Sequence, residues 1–141
     1  MSQTNIRTGD IPVTAGEDLT GKEDRLVKIG NAAGKPVALL PAANGDLALF
    51  LLVEGAAADK TAALRPLSPE RNMRVPLKGT CNPGDTLVLA DVGTAADKGK
   101  VRALPATPGT YRGLAIAEEA GVDGQSVLAR PAPSIGNIVI T

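Results

Sequence analysis

Several stretches carry residue types that do chemistry in other proteins, and each lacks a required partner. Gly16-Glu-Asp-Leu-Thr-Gly21-Lys22 has the glycine and lysine spacing of a phosphate-binding loop. Glu23 then stands where a hydroxyl must hold Mg²⁺, and Glu17 and Asp18 would place like charge inside a phosphate cradle. Gly124-Gln-Ser126-Val-Leu128 approaches a nucleophile elbow, but Leu128 replaces the closing glycine. The chain contains no His, so nothing of the Ser–His or Cys–His type can activate Ser126 or Cys81. Cys81 is the single cysteine, which excludes an intrachain disulfide and a thiolate metal cluster. With only Lys78 as a nearby basic group, it reads as a small apolar filler beside a turn.

The carboxylate pairs Glu17/Asp18, Glu23/Asp24 and Glu118/Glu119 are adjacent in sequence. Adjacent strand residues point to opposite faces, so such pairs clamp a metal poorly, and no calcium-type Asp-x-Asp-x-Asp loop occurs. The residues therefore nominate no catalytic, cofactor-binding or metal-binding set. Lys+Arg and Asp+Glu number 15 each and are scattered, so no basic face is available for phosphate backbones. Phe50 and Tyr111 are the only aromatics, too few for base stacking or a sugar platform. The polar stretch from Met1 to Ala15 lacks the apolar run of a signal peptide, and Leu47–Val53 is too short to span a bilayer. These features fit synthesis in the cytoplasm, with no nucleic-acid or membrane partner.

What positions these residues is a series of short apolar runs. Sixteen Gly and eleven Pro punctuate the whole length. Strands are expected at Arg25–Gly30, Lys35–Leu40, Leu47–Glu54, Asn72–Leu77, Thr86–Asp91, Lys100–Leu104, Tyr111–Ala117, Ser126–Arg130 and Ile135–Ile140. The fold class is mainly β: a single compact β-barrel or β-sandwich domain over 25–141, preceded by a polar arm over 1–24. At most one or two short helices are expected, at the Ala-rich Gly55–Leu64 and near Glu118–Ala120. Asn44-Gly45 reads as a tight hairpin turn, Asn82-Pro83-Gly84-Asp85 as a β-turn, and Asp123-Gly124 as another tight turn.

Alternation assigns faces. Met73, Val75 and Leu77 share one face of their strand, Arg74 and Pro76 the other, and Pro76 suggests a sheet edge. Leu47–Val53 is apolar on both faces, which means a strand covered on both sides. The cover is either this chain's own core or a second subunit. With few aromatics to enlarge the core, Leu49, Phe50 and Leu52 are the candidates for self-association.

One positive pattern remains. Pro76-Leu-Lys-Gly-Thr-Cys-Asn-Pro-Gly-Asp-Thr-Leu-Val-Leu-Ala90 resembles the Gly-Asp turn and following strand of the capsid decoration, or cement, proteins of tailed bacteriophages. Tyr111 to Leu128, with Gly113, Ala115, Ala117, Gly124 and Val127, resembles that family's later Gly-x-Ala-x-Ala strand and Gly-x-x-Val strand. The N-terminal half departs from the family pattern. The resemblance implies a β-rich core, a homo-oligomer (commonly a trimer) and attachment to the major capsid protein on the outside of an expanded head. It implies no catalytic residue. Other readings of the same signals are a tail or baseplate β-domain, or a trimeric β-barrel that binds ligand or catalyses between subunits. The last would need Arg71, Arg74, Asp85 and Asp91 to converge across chains.

Overall fold

Strand β4, Phe50–Glu54, is covered on both faces, as its composition requires. Leu51 faces one hydrophobic core and Leu52 another, and both are buried. The computed structural model describes residues 9–134 and 136–141. Within them the chain is mainly β, with one 3-10 turn at Ala95–Asp97.

Five strands close into a barrel: β1 Ile11–Ala15, β2 Leu26–Ala32, β3 Lys35–Leu39, β4, and β5 Thr61–Pro66, in the order β1-β3-β2-β4-β5. β1 runs parallel to β3 through Thr14–Val37 and Ala15–Ala38, and antiparallel to β5 from Ile11–Leu64 to Thr14–Thr61. Pro12 precedes the β3 pairing, where β1 has one neighbour and a missing N–H does no harm. The interior holds Val13, Ala15, Leu19, Val27, Ala38, Leu40, Leu52, Ala62 and Leu64. A five-stranded barrel is narrow, and small aliphatic side chains fill it.

Three expectations are corrected here. The arm expected over 1–24 does not extend through that range, because Ile11–Ala15 alternates Val13 and Ala15 inward and completes the barrel; residues 1–8 lie outside the described residues. The Ala-rich Gly55–Leu64 segment is not a helix. Its second half enters β5, where Ala62 and Leu64 bury in the barrel. Alanine's helix preference is a fraction of a kcal/mol per residue, and closing a barrel outweighs it. Glu118–Ala120 is likewise a bend without helical structure.

A second sheet has the order β6-β11-β10-β7-β8, from Met73–Pro76, Ser126–Pro131, Ala115–Ala117, Thr86–Leu89 and Val101–Ala103. β6 lies at its edge, as Pro76 suggests, with Met73 and Val75 buried and Arg74 exposed. The core beneath this sheet also takes in Leu26, Ala48 and Leu51 from the barrel side, so the two halves share one apolar layer. The stretch expected as one strand over Tyr111–Ala117 is two. β9 Gly109–Tyr111 leaves the sheet to pair with β12 Ile138–Ile140, and β10 begins after Leu114.

The two motif stretches of this half are copies of one unit, related at a constant offset of 40 residues (77 to 117, 81 to 121, 84 to 124). Gly84 N donates to Ala117 O at 2.8 Å, and Gly124 N to Leu77 O at 3.1 Å. Ala117 N donates to Asp85 O at 3.0 Å, and Leu77 N to Gln125 O at 2.9 Å. Cys81 and Gly121 exchange backbone hydrogen bonds at 3.2 and 3.0 Å on the pseudo-twofold axis. β7 pairs β10 as β11 pairs β6, with Leu87–Ala115 matching Val127–Val75. Both turns use glycine with positive φ, 91° at Gly84 and 82° at Gly124.

The Asn44-Gly45 turn is present but is not a hairpin. β3 and β4 flank β2 on opposite sides and do not pair. The tight hairpin is instead Ala33-Gly34 between β2 and β3, with φ of 52° and 83° and Gly34 N donating to Asn31 Oδ1.

Gly55 tests the barrel. A Cβ there would collide with the Leu19 carbonyl oxygen and approach Glu23 Oε1, which accepts from Gly55 N. Gly55→Ala should cost about 2–3 kcal/mol, because backbone rather than a flexible side chain must move. Urea unfolding measures this; a midpoint equal to wild type would contradict the packing.

The carboxylates predict a pH response. The Gly79 N–H, then Lys78, holds the Asp123 carboxyl below its ordinary value; the Leu128 N–H, then Arg74, does so for Glu119. Partial burial pushes Asp46 upward, but hydrogen bonds from Lys28, Ala42 N and Ala43 N outweigh it and the net direction is down. A carboxyl lowered in the folded state stabilises above its unfolded pKa and loses that contribution as pH falls through its folded pKa. Stability should therefore hold near neutrality and fall below about pH 4. Asp46→Asn should flatten that fall in urea titrations across pH, and stability that rises on acidification would refute the assignment.

Candidate interaction surface

The residues with possible chemistry are dispersed and structurally engaged. In the Gly16–Glu23 loop, Asp18 Oδ1 accepts from Thr20 N at 3.0 Å, and Leu19 plugs the barrel. No helix follows to cradle a phosphate. Ser126 opens β11 on the exposed side, opposite Pro76. Cys81 is buried in the shared core, and desolvation pushes its thiol above the usual range. Glu118 and Glu119 pair with Arg130 and Arg74. Asp85 accepts from Asn82 N, and Asp91 from Gly93 N and Thr94 Oγ1, so Arg74, Asp85 and Asp91 are committed to separate partners. Among the described residues no three His, Cys, Asp or Glu side chains converge as a metal site.

Leu49, Phe50 and Leu52 all serve this chain's own cores. Leu52 is fully buried inside the barrel, Phe50 is half-buried against the same cluster, and Leu49 is half-buried against the shared core. The larger apolar side chains that reach solvent are Ile29, Leu47, Val122 and Val139, with Val139 the most exposed at 63%. The charge-free run Gly136-Asn-Ile-Val-Ile-Thr141 is the sequence signal for that last patch.

Arg112 builds the surface around it. Arg112 is buried at 8% exposure, with Nε donating to Gly45 O at 2.9 Å and Nη1 to Ser134 O at 2.8 Å. These bonds join three segments remote in sequence. The 43–46 turn is closed by Asp46 N donating to Ala43 O, while Asp46 Oδ2 accepts from Ala42 N, Ala43 N and Lys28 Nζ. Leu47 follows this turn, half exposed. The β9–β12 ribbon lies beyond, pairing Ile138 with Tyr111 and Ile140 with Gly109. Tyr111 is anchored by its hydroxyl donating to Thr107 O, with the Arg102 guanidinium 5.7 Å from its ring centre. Neither outer edge of the ribbon is paired among the described residues. An apolar edge without charge or proline is a surface suited to another chain.

On the seam between barrel and sheet lies a cleft of about 250 Å³. Leu51 and Met73 form its floor; the Asp10–Arg65 ion pair, Glu70 and Arg71 line its rim. It offers shape and mixed charge but no assembled reactive group.

No protein-family model matches the chain. No curated protein matches it. Among solved structures the chain is similar to the N base of the head fibre gp8.5 of bacteriophage phi29, with a TM-score of 0.63 and 15% identity over 87% of this chain and 92% of that one. At that identity the likeness establishes a shared fold.

Proposed function

We propose that this chain is a virion structural protein of a tailed bacteriophage that binds the outer surface of the assembled, expanded head and stabilises it. The observation that carries the reading is the fold shared with a phage head-fibre base over 87% of the chain. Its surface supports the same reading: exposed apolar side chains and an open ribbon edge, with reactive groups locked into local structure. In this reading the work is done by surface and not by catalysis, and the partner is the major capsid protein. A composite site made by several capsid subunits exists only after assembly, so engaging them together gives avidity that one subunit cannot offer. Binding the expanded lattice in preference to its precursor then stabilises the expanded state by linkage.

The test mixes purified protein with heads that lack it, pellets the heads and heats both samples. Co-sedimentation at a regular copy number and DNA release at a higher temperature are expected. Protein that stays in the supernatant, or binds free capsid subunits equally well, refutes the reading.

The protein acts as a homo-oligomer, a trimer, with the β9–β12 ribbon in the contact. Val139→Asp, at a solvent-facing position, should reduce the mass seen by light scattering while leaving circular dichroism unchanged. Phe50→Asp should instead disturb folding, since Phe50 packs on the barrel core. An unchanged mass for Val139→Asp rules out the ribbon as the contact. A wild-type monomer both free and on heads rules out the oligomer.

A further inference from the structure

The Asn44-Gly45 turn has a chemistry that docking does not use. Gly45 has no side chain to shield its backbone nitrogen from the Asn44 side chain. The Gly45 N–H makes no hydrogen bond among the described residues. The Asn44 side-chain amide is also unbonded, and its Oδ1 is buried with no donor. The fold therefore gives this amide no partner that a reaction would have to break. What restrains it is the turn: Asp46 holds Ala42 N and Ala43 N at 2.7 and 3.0 Å, and Arg112 holds Gly45 O at 2.9 Å.

We infer that Asn44 is a modification site, deamidating through a succinimide formed with Gly45, at a rate set by opening of the turn that Asp46 closes. The Gly45 nitrogen loses its proton to solvent base and attacks Asn44 Cγ. The Cγ–Nδ2 bond breaks, and the side-chain nitrogen leaves as ammonia, taking up a proton from water. Water then opens the ring. Attack at Cγ yields aspartate, and attack at the backbone carbonyl yields isoaspartate. The net change is water in and ammonia out, with no oxidation. Either product puts a carboxylate two residues from Asp46. The isoaspartyl form also lengthens the backbone before Gly45 and draws Gly45 O away from Arg112. Because Arg112 also holds Ser134 O, loosening should reach the segment that leads into β12.

The experiment incubates the full-length protein in warm, mildly alkaline buffer and follows Asn44 by peptide mapping and mass spectrometry. Asn44 should convert to an aspartate–isoaspartate mixture. Asp46→Ala should accelerate this about tenfold, the equivalent of one charge-assisted hydrogen bond lost from the closed turn. Because that variant can also loosen the barrel, the wild-type rate is measured in urea below the unfolding transition, where it should rise with concentration. Gly45→Ala should slow conversion severalfold while folding normally; a Cβ there would lie 3.7 Å from Asn137 Oδ1, an ordinary contact. Asn44→Asp, standing in for one product, should raise amide exchange over 136–141. An Asn44 that stays intact while other asparagines react overturns the site. A rate indifferent to urea and to Asp46→Ala overturns the gating.

Discussion

The structure depends on one strand pair facing two cores at once. β2 and β4 put Val27 and Leu52 into the barrel, and Leu26 and Leu51 under the second sheet. With Phe50 and Tyr111 the only aromatics, neither core can be closed by a few large side chains. Aliphatic side chains each bury less area, so many must be brought together, and a strand used on both faces contributes twice. A narrow barrel completes the arrangement, since Ala15, Ala38 and Ala62 fit where larger residues would force the strands apart.

The second sheet solves the same packing problem by repetition. Two copies of a strand–turn–strand unit pair with each other, each copy's turn meeting the strand before the other's turn. The axis passes between Cys81 and Gly121, where the residues must be small: a Cβ on Gly121 would lie 2.6 Å from Leu77 Cδ2 and 3.2 Å from Cys81 Sγ. Cys81 is therefore a packing residue, and burial pushes its thiol above the usual range. The carboxylates follow the same logic. Asp123 and Asp46 accept backbone N–H groups of loop residues, Gly79 and Ala42 with Ala43, while Glu119 accepts the Leu128 N–H of β11, so their charge is spent on the backbone.

A fold built this way leaves the apolar side chains of Leu47 and Val139 at its surface. Arg112, a buried charged side chain, is also spent on backbone carbonyls, tying the 43–46 turn to Ser134. It holds the ribbon in place, with Val139 outward and Ile138 and Ile140 half-buried. Apolar area at an open strand edge pairs with another chain more readily than it binds a small molecule.

Although the strand expected from Leu47 begins only at Phe50 and leaves Leu47 half exposed, local sequence determined the β class, most strand positions and the double-sided burial at Leu51 and Leu52, because period-two alternation and Gly/Pro punctuation act over a few residues. It also determined the edge position of Pro76, which follows from a missing N–H, and the burial of Cys81 as a small apolar filler beside a turn. Tertiary structure alone decided that Ile11–Ala15 and Thr61–Pro66 are strands, since barrel closure is worth more than local preference and neither run is strongly apolar. It decided that Pro76–Ala90 and Tyr111–Leu128 form two halves of one pseudo-symmetric unit, because their identity lies in hydrogen bonds between backbones while the side chains differ. It also packed Leu49, Phe50 and Leu52, the candidates for self-association, against this chain's own cores and left Leu47 and Val139 exposed. Alternation shows that both faces of a strand must be covered; only the path of the rest of the chain shows that this chain supplies the cover itself.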